Sequence, residues 1–271
     1  MAISKTAGLG ALAALLGTTG LAAAQRAPDT FGARGQFAIS GERLLGVYVV
    51  NSEVEQTGTA TGGGGPELSL AVNSESDTTS IAFLGNDGGL GPAGIPRLAL
   101  DYFVIDGLSI GGSLLISTDS SDADDLSTAS TDGGIDFQAH ERREVSATLF
   151  SLAPRVGYAH MFTPVVGIWA RGGITYLSAN VETTTEDIDD DGSVDDTEDR
   201  EDSISHWSLS LEGLLVLSPI PHVAFGVGPF VDIPLAGSFE TEISNPPNQQ
   251  QLDGDISVTS FGVTTALIVW F

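Results

Sequence analysis

Thirty of the chain's 36 Asp and Glu fall in four stretches, 51–94, 119–145, 182–204 and 236–255. These hold 6, 8, 12 and 4 of them, with only three bases, Arg142, Arg143 and Arg200. The four stretches therefore carry −27 against −26 for the whole chain, which leaves the rest nearly neutral. A uniformly acidic soluble domain scatters carboxylates over all its surfaces. A chain that keeps the intervening segments almost uncharged has surfaces there suited to lipid.

The intervening segments read as strands. Eight of them, 37–50, 95–105, 108–118, 146–161, 165–181, 205–218, 222–235 and 256–271, alternate apolar with small or polar residues. Tight turns at Asp106-Gly107, Thr163-Pro164 and Pro219-Ile220-Pro221 alternate with the four acidic stretches. Short connections at one end and long ones at the other predict an all-β fold: an eight-stranded antiparallel up-and-down transmembrane β-barrel with short periplasmic turns and long acidic extracellular loops. In the first long loop, 67–72 and 79–83 could each form a strand. At about six residues they fall short of the 9–11 a spanning strand needs, so a hairpin above the membrane is expected, with a ten-stranded barrel as the alternative.

Residues 1–24 read as a secretory signal, with Lys5 before an apolar run and Ala22-Ala23-Ala24 before the cleavage point. The run is broken by Gly17, Thr18, Thr19 and Gly20, and no segment reaches the roughly 20 apolar residues of a spanning helix. Residues 25–36 are then a periplasmic N-terminal segment and 37–271 the barrel. The chain has no Cys and, after Lys5, no Lys, so nucleic acid is excluded as a partner.

Strand parity separates two faces. Phe150, Leu152, Val156 and Tyr158 oppose Arg155; Ile168, Ala170 and Ile174 oppose Arg171; Leu98, Leu100 and Tyr102 oppose Asp101; Leu209, Leu211 and Leu215 oppose Glu212; Phe225, Val227 and Ile233 oppose Asp232. The charges thus point inward, and Glu42 joins them, with Arg43 facing out unless a bulge exchanges the two. An eight-stranded interior is just wide enough for side chains. Glu42, Asp101, Arg155, Arg171, Glu212 and Asp232 are therefore expected to form a salt-bridged plug, with conduction along the same residues as the alternative.

The last strand runs through Thr264, Ala266, Val269 and Phe271. Its terminal aromatic resembles the C-terminal assembly signal of bacterial outer-membrane barrels, with Ala266 where that signal has Gly. Together with the signal sequence and the strand layout, it resembles the small outer-membrane barrels of the OmpA-transmembrane-domain, OmpX and OmpW type. The resemblance implies a monomer in the outer membrane of a Gram-negative bacterium, recognised by the barrel-assembly machinery through 256–271 and surrounded by outer-membrane lipid. It implies location more than activity.

His206-Trp207-Ser208 resembles the His-x-Ser pair of outer-membrane lipid A deacylases, but it shares the inward parity of Glu212 and has no acidic orienter. No catalytic set is assigned, and a lipid-modifying enzyme is kept as an alternative beside a small-solute channel. From 187 to 198 the chain reads D-I-D-D-D-G-S-V-D-D-T-E, which resembles an EF-hand-like calcium loop. Asp187, Asp189, Asp191, Ser193, Asp195 and Glu198 would supply the ligands and Gly192 the turn. Ca2+ is the one cofactor expected. The function expected is a structural or binding role, with acidic loops meeting extracellular cations or surface partners.

Overall fold

A computed structural model describes residues 30–61, 68–83, 96–130, 136–188, 194–245 and 248–271. The chain forms β1 (Phe37–Thr61), β2 (Leu68–Phe83), β3 (Arg97–Ile105), β4 (Leu108–Ser130), β5 (Asp136–Met161), β6 (Val166–Ile188), β7 (Val194–Ile220), β8 (Val223–Asn245) and β9 (Asn248–Trp270). Each pairs antiparallel with its neighbour, and β1 pairs with β9, so β1 and β3–β9 close a ring of eight. The seam is sealed at its foot by a reciprocal backbone pair: Phe37 N donates to Phe271 O (2.9 Å) and Phe271 N to Phe37 O (3.0 Å).

Two expectations are corrected. The long acidic stretches are not loops over most of their length, because the strands continue through them. The β4–β5 ladder runs to Ser130–Asp136, and the β6–β7 ladder to Ile188–Val194. Charge patterning reports contact with water, whereas the backbone ladder depends only on N–H and C=O pairing and continues where the side chains turn polar. Of the two short segments of the first loop, the described residues 68–72 and 79–83 belong to one strand, β2, paired with β1 from Leu45–Phe83 to Ala60–Leu68. It adds no member to the ring. β3 pairs with β1 over 37–42 and β2 pairs with it over 45–60, so the two follow one another along the same edge.

Outside, Leu100, Ile110, Ile116, Val156, Phe225, Val263 and their neighbours are exposed in one band. Aromatic rings flank it. Phe37 meets Tyr102 (4.8 Å) and Phe271 (6.1 Å) at the turn end, and Tyr176 meets Trp207 (4.7 Å) and Phe150 (6.4 Å) at the other. An apolar band between aromatic girdles, on a closed barrel with a polar interior, is the exterior of an outer-membrane protein. Gly107 makes the tight β3–β4 turn possible: its φ is 82°, and a Cβ there would lie 2.7 Å from Ala159 O.

Candidate functional site

The interior is built in tiers. At the periplasmic end Trp169, Trp270 and Phe103 enter from β6, β9 and β3, all on inward positions. Phe31, from the segment before β1, inserts among them edge-on, with ring centroids 5.2 Å from Phe103, 5.2 Å from Trp169 and 5.3 Å from Trp270. Gln36 holds this segment in place. Its Oε1 accepts from Gly32 N (2.8 Å) and Ala33 N (3.1 Å), and its Nε2 donates to Thr30 O (2.9 Å). Gly107 N donates to Gly32 O (2.7 Å) and Gly35 N to Phe103 O (2.8 Å), which ties the segment to the barrel's foot.

Above the aromatics lies a network of ion pairs. Arg155 donates to Glu42 through Nη1 and Nη2 (2.7 Å each) and to Asp101 through Nε (3.1 Å) and Nη2 (2.5 Å). Arg171 bridges Glu42 to Glu212. Arg43 holds Asp232 with Nη2 (3.0 and 3.1 Å) and lies 3.6 Å from Glu212. All six residues expected in the lumen are thus brought into one cluster. Two more join it, since Arg43 and Arg97 are both buried. Four carboxylates face four guanidiniums, so the tier is neutral as a whole.

The placement of Arg43 corrects the outward reading. Between Glu42–Ala266 and Gly46–Thr264 the β1–β9 register shifts, leaving three residues of β1 opposite Thr265 alone. Arg43 takes φ 55° there, and its side chain turns inward beside Glu42 instead of alternating outward. The Thr265 hydroxyl replaces the missing ladder bonds, accepting from Leu45 N (3.0 Å) and donating to Leu45 O (3.2 Å). Arg97 shares the parity of Asp101, so the pattern that located the other charges also contained it. Nothing in the sequence flagged Phe31, which lies outside any alternating segment.

The guanidiniums also stack on rings: Arg171 lies 4.5 Å from the Trp169 centroid below, and Arg43 lies 4.5 Å from that of Phe230 above. The space left among Arg97, Arg155, Arg171, Ser210 and Glu212 is about 20 Å³, enough for one water. Higher still the lumen is lined by hydroxyls, and Thr175 Oγ1 and Ser210 Oγ are 2.7 Å apart. His206 and Ser208 are both buried in this upper tier and face the interior.

Beyond the membrane band the register sets carboxylate against carboxylate in several rows, and Arg142 between Asp124 and Glu186 in another. Glu182, Glu201 and Glu242 form a row across β6, β7 and β8, and Glu141, Asp187 and Asp196 a row across β5, β6 and β7. Glu55 stands opposite Asp255, and Glu240 opposite Asp253. Of the proposed calcium ligands, Asp187 lies in β6 opposite Asp196, and Asp195 and Glu198 lie in β7, Glu198 opposite Thr185. Asp189, Asp191 and Ser193 fall outside the described residues. Among the described residues no three His, Asp or Glu side chains converge as metal ligands do.

The chain matches no protein-family profile and no curated protein sequence. Among solved structures it is similar to the outer membrane protein OprG from Pseudomonas aeruginosa, at 12% identity and TM-score 0.41 over 89% of this chain and 99% of that one. It is also similar to Ail, the attachment invasion locus protein of Yersinia pestis, at 10% identity and TM-score 0.30 over 87% and 99%. A third is the outer membrane protease OmpT from Escherichia coli, at 9% identity and TM-score 0.33 over 88% and 97%.

Proposed function

We propose that this protein is a sealed outer-membrane barrel whose working part is its acidic β extension, which binds cations at the cell surface. The observation that carries this reading is the row Glu182–Glu201–Glu242, all three exposed on adjacent strands. Carboxylates directly opposite one another in a ladder repel, and hard divalent cations with oxygen preference relieve that repulsion. The ion-pair tier and the aromatic foot favour a lumen that supports the strands over one that conducts. The calcium-loop pattern at 187–198, whose described ends belong to β6 and β7, would add a site of higher denticity.

Calorimetric titration of the purified protein with Ca2+ at low salt tests the reading. Saturable binding that falls in the triple variant Glu182→Gln, Glu201→Gln, Glu242→Gln is expected. Binding that is absent, or unchanged in that variant, would overturn the assignment to this row. A steady conductance of porin size in planar bilayers would overturn the sealed lumen and favour a small-solute channel, and a change in lipid A mass on expression would favour the lipid-modifying enzyme.

A further inference from the structure

The apolar exterior is not filled evenly. On β5 and β6 the outward positions include Pro154 and Gly172, and the β5–β6 ladder passes from Leu152–Tyr176 to Arg155–Gly173 without pairing Ala153 and Pro154. Proline has no N–H to give the ladder, which accounts for the gap. A groove of about 720 Å³ lies over this stretch, floored by Gly111, Pro154, Gly172 and Gly173 with Arg155, whose side chain is only 7% exposed, and walled by Leu100, Ile110, Val156 and Ile174. The wall residues are exposed leucine, isoleucine and valine side chains, so the groove is an apolar trough open to the surroundings.

Its position decides what can enter. The lower end is formed by Phe37 and Tyr102, members of the aromatic ring at the turn end, and its upper end, Leu100 and Ile174, lies below the opposite ring of Phe150, Tyr176 and Trp207. The trough therefore rises from the head-group level of the periplasmic leaflet into the apolar band, with a tyrosine at its head-group end. Water does not fill apolar space of this kind, and the molecules that reach it are lipids. Here a tail gains contact with the floor and both walls.

We propose that this groove binds one acyl chain of a phospholipid of the periplasmic leaflet, with the tail along Pro154 and Gly172 and the head group beside Tyr102. The inference rests on the placement of the barrel in the outer membrane. A side chain added at Gly172 would occupy the groove, since a Cβ there meets only the Cδ2 methyl of Leu211, at 3.0 Å, and Ser210 O at 3.8 Å. The leucine tip can turn aside, so the substitution fills the trough without pressing on backbone.

The test uses the full mature chain in vesicles of phosphatidylethanolamine and phosphatidylglycerol that contain a phospholipid bearing a diazirine midway along one acyl chain. After irradiation, adducts are mapped by mass spectrometry. Adducts at Leu100, Pro154 and Ile174 are expected to exceed severalfold those at Phe225 and Leu267 on the far wall. Gly172→Leu is expected to remove that excess while leaving the far wall unchanged. Gly172→Ala serves the same purpose should the leucine variant not assemble, with assembly scored by heat-modifiable migration on a detergent gel. Even labelling around the barrel, or an excess that survives an assembled variant, would overturn the groove alone. A chain that does not enter vesicles and takes no label anywhere would overturn the membrane placement instead.

Discussion

The lower and upper halves of this barrel share seven strands, β1 and β4–β9, and differ in how they treat charge. In the membrane half, outward positions are apolar, and inward charges are matched four to four across β1, β3, β5, β6, β7 and β8. In the extension, carboxylates stand opposite carboxylates in several rows, Arg142 stands between Asp124 and Glu186, and one ion pair is a local one between Arg200 and Asp202, the Arg200 side chain being 47% exposed. The difference teaches that backbone pairing fixes the length of the strands while the side chains fix where the membrane lies. It also separates two uses of charge: below, an ion must find its counterion within the protein, and above, it can find one in solution.

The largest expected effect breaks the lower pattern. Arg171→Met leaves Glu42 and Glu212 short of a cation in a site where the Arg171 side chain is 2% exposed, and removing one partner of a buried pair costs about 3–5 kcal/mol. Arg200→Met in the extension removes an exposed pair worth about 0–1 kcal/mol. Urea unfolding in lipid vesicles measures both. Equal losses would erase the distinction between the halves.

Next in size is the foot of the barrel. Phe31→Ala removes a ring that is 3% exposed and touches three others, and a buried Phe→Ala change costs about 3 kcal/mol or somewhat more. The loss should appear in the same urea series, together with faster proteolysis of residues 30–36. A stability unchanged within error would mean that the segment caps the barrel without supporting it.

These two sites show what could be read from the sequence and what could not. Asp101, Arg155, Arg171, Glu212 and Asp232 were legible because strand parity is a strict period of two, and inward charges stand out against outward Leu, Val and Ile. Arg43 was not, since a bulge suspends that period and its site is set by how β1 meets Thr265 across the closing seam, a contact between residues more than two hundred positions apart. Phe31 was not, because a segment without regular structure has no period to read, and only the space between Phe103, Trp169 and Trp270 defines its place. The extension reads as loop in sequence for a different reason: polar, acidic sequence is common to loops and to solvated ladders, and side-chain composition does not tell them apart.

A smaller effect sharpens the upper half of the comparison. Glu201 stands between Glu182 and Glu242, and directly opposed like charges cost roughly 0.2–1 kcal/mol. Glu201→Gln should therefore slow amide exchange across β6–β8 in chelator at low salt. In millimolar divalent cation, or at high salt where screening is complete within a few ångströms, wild type and variant should converge. A variant that exchanges faster than wild type in chelator would show that the row is held by hydrogen bonds such as Asn180 Nδ2 to Glu201 Oε1 (3.2 Å) more than it is strained by charge.

The smallest effect on the barrel as a whole is also the most local. Asp187 and Glu198 lie on the same face of the β6–β7 ladder, two pairing steps apart, since Asp187 opposes Asp196 and Thr185 opposes Glu198. The first and twelfth positions of the calcium-loop pattern are thereby held near each other by backbone pairing, without the flanking helices of an EF-hand. A metal bound there would neutralise carboxylates that otherwise repel, and would fix the tip of the hairpin. Replacing Asp187, Asp191 and Glu198 together by Ala should abolish calcium-dependent protection from protease between 187 and 198 while urea unfolding of the barrel stays unchanged. With affinity of the order of extracellular modules, about 10⁻⁴–10⁻³ M, protection should appear only at millimolar calcium. Equal cleavage of wild type with calcium and with chelator would leave the tip as one more solvated part of the acidic extension, distinct from the rows below it only in sequence.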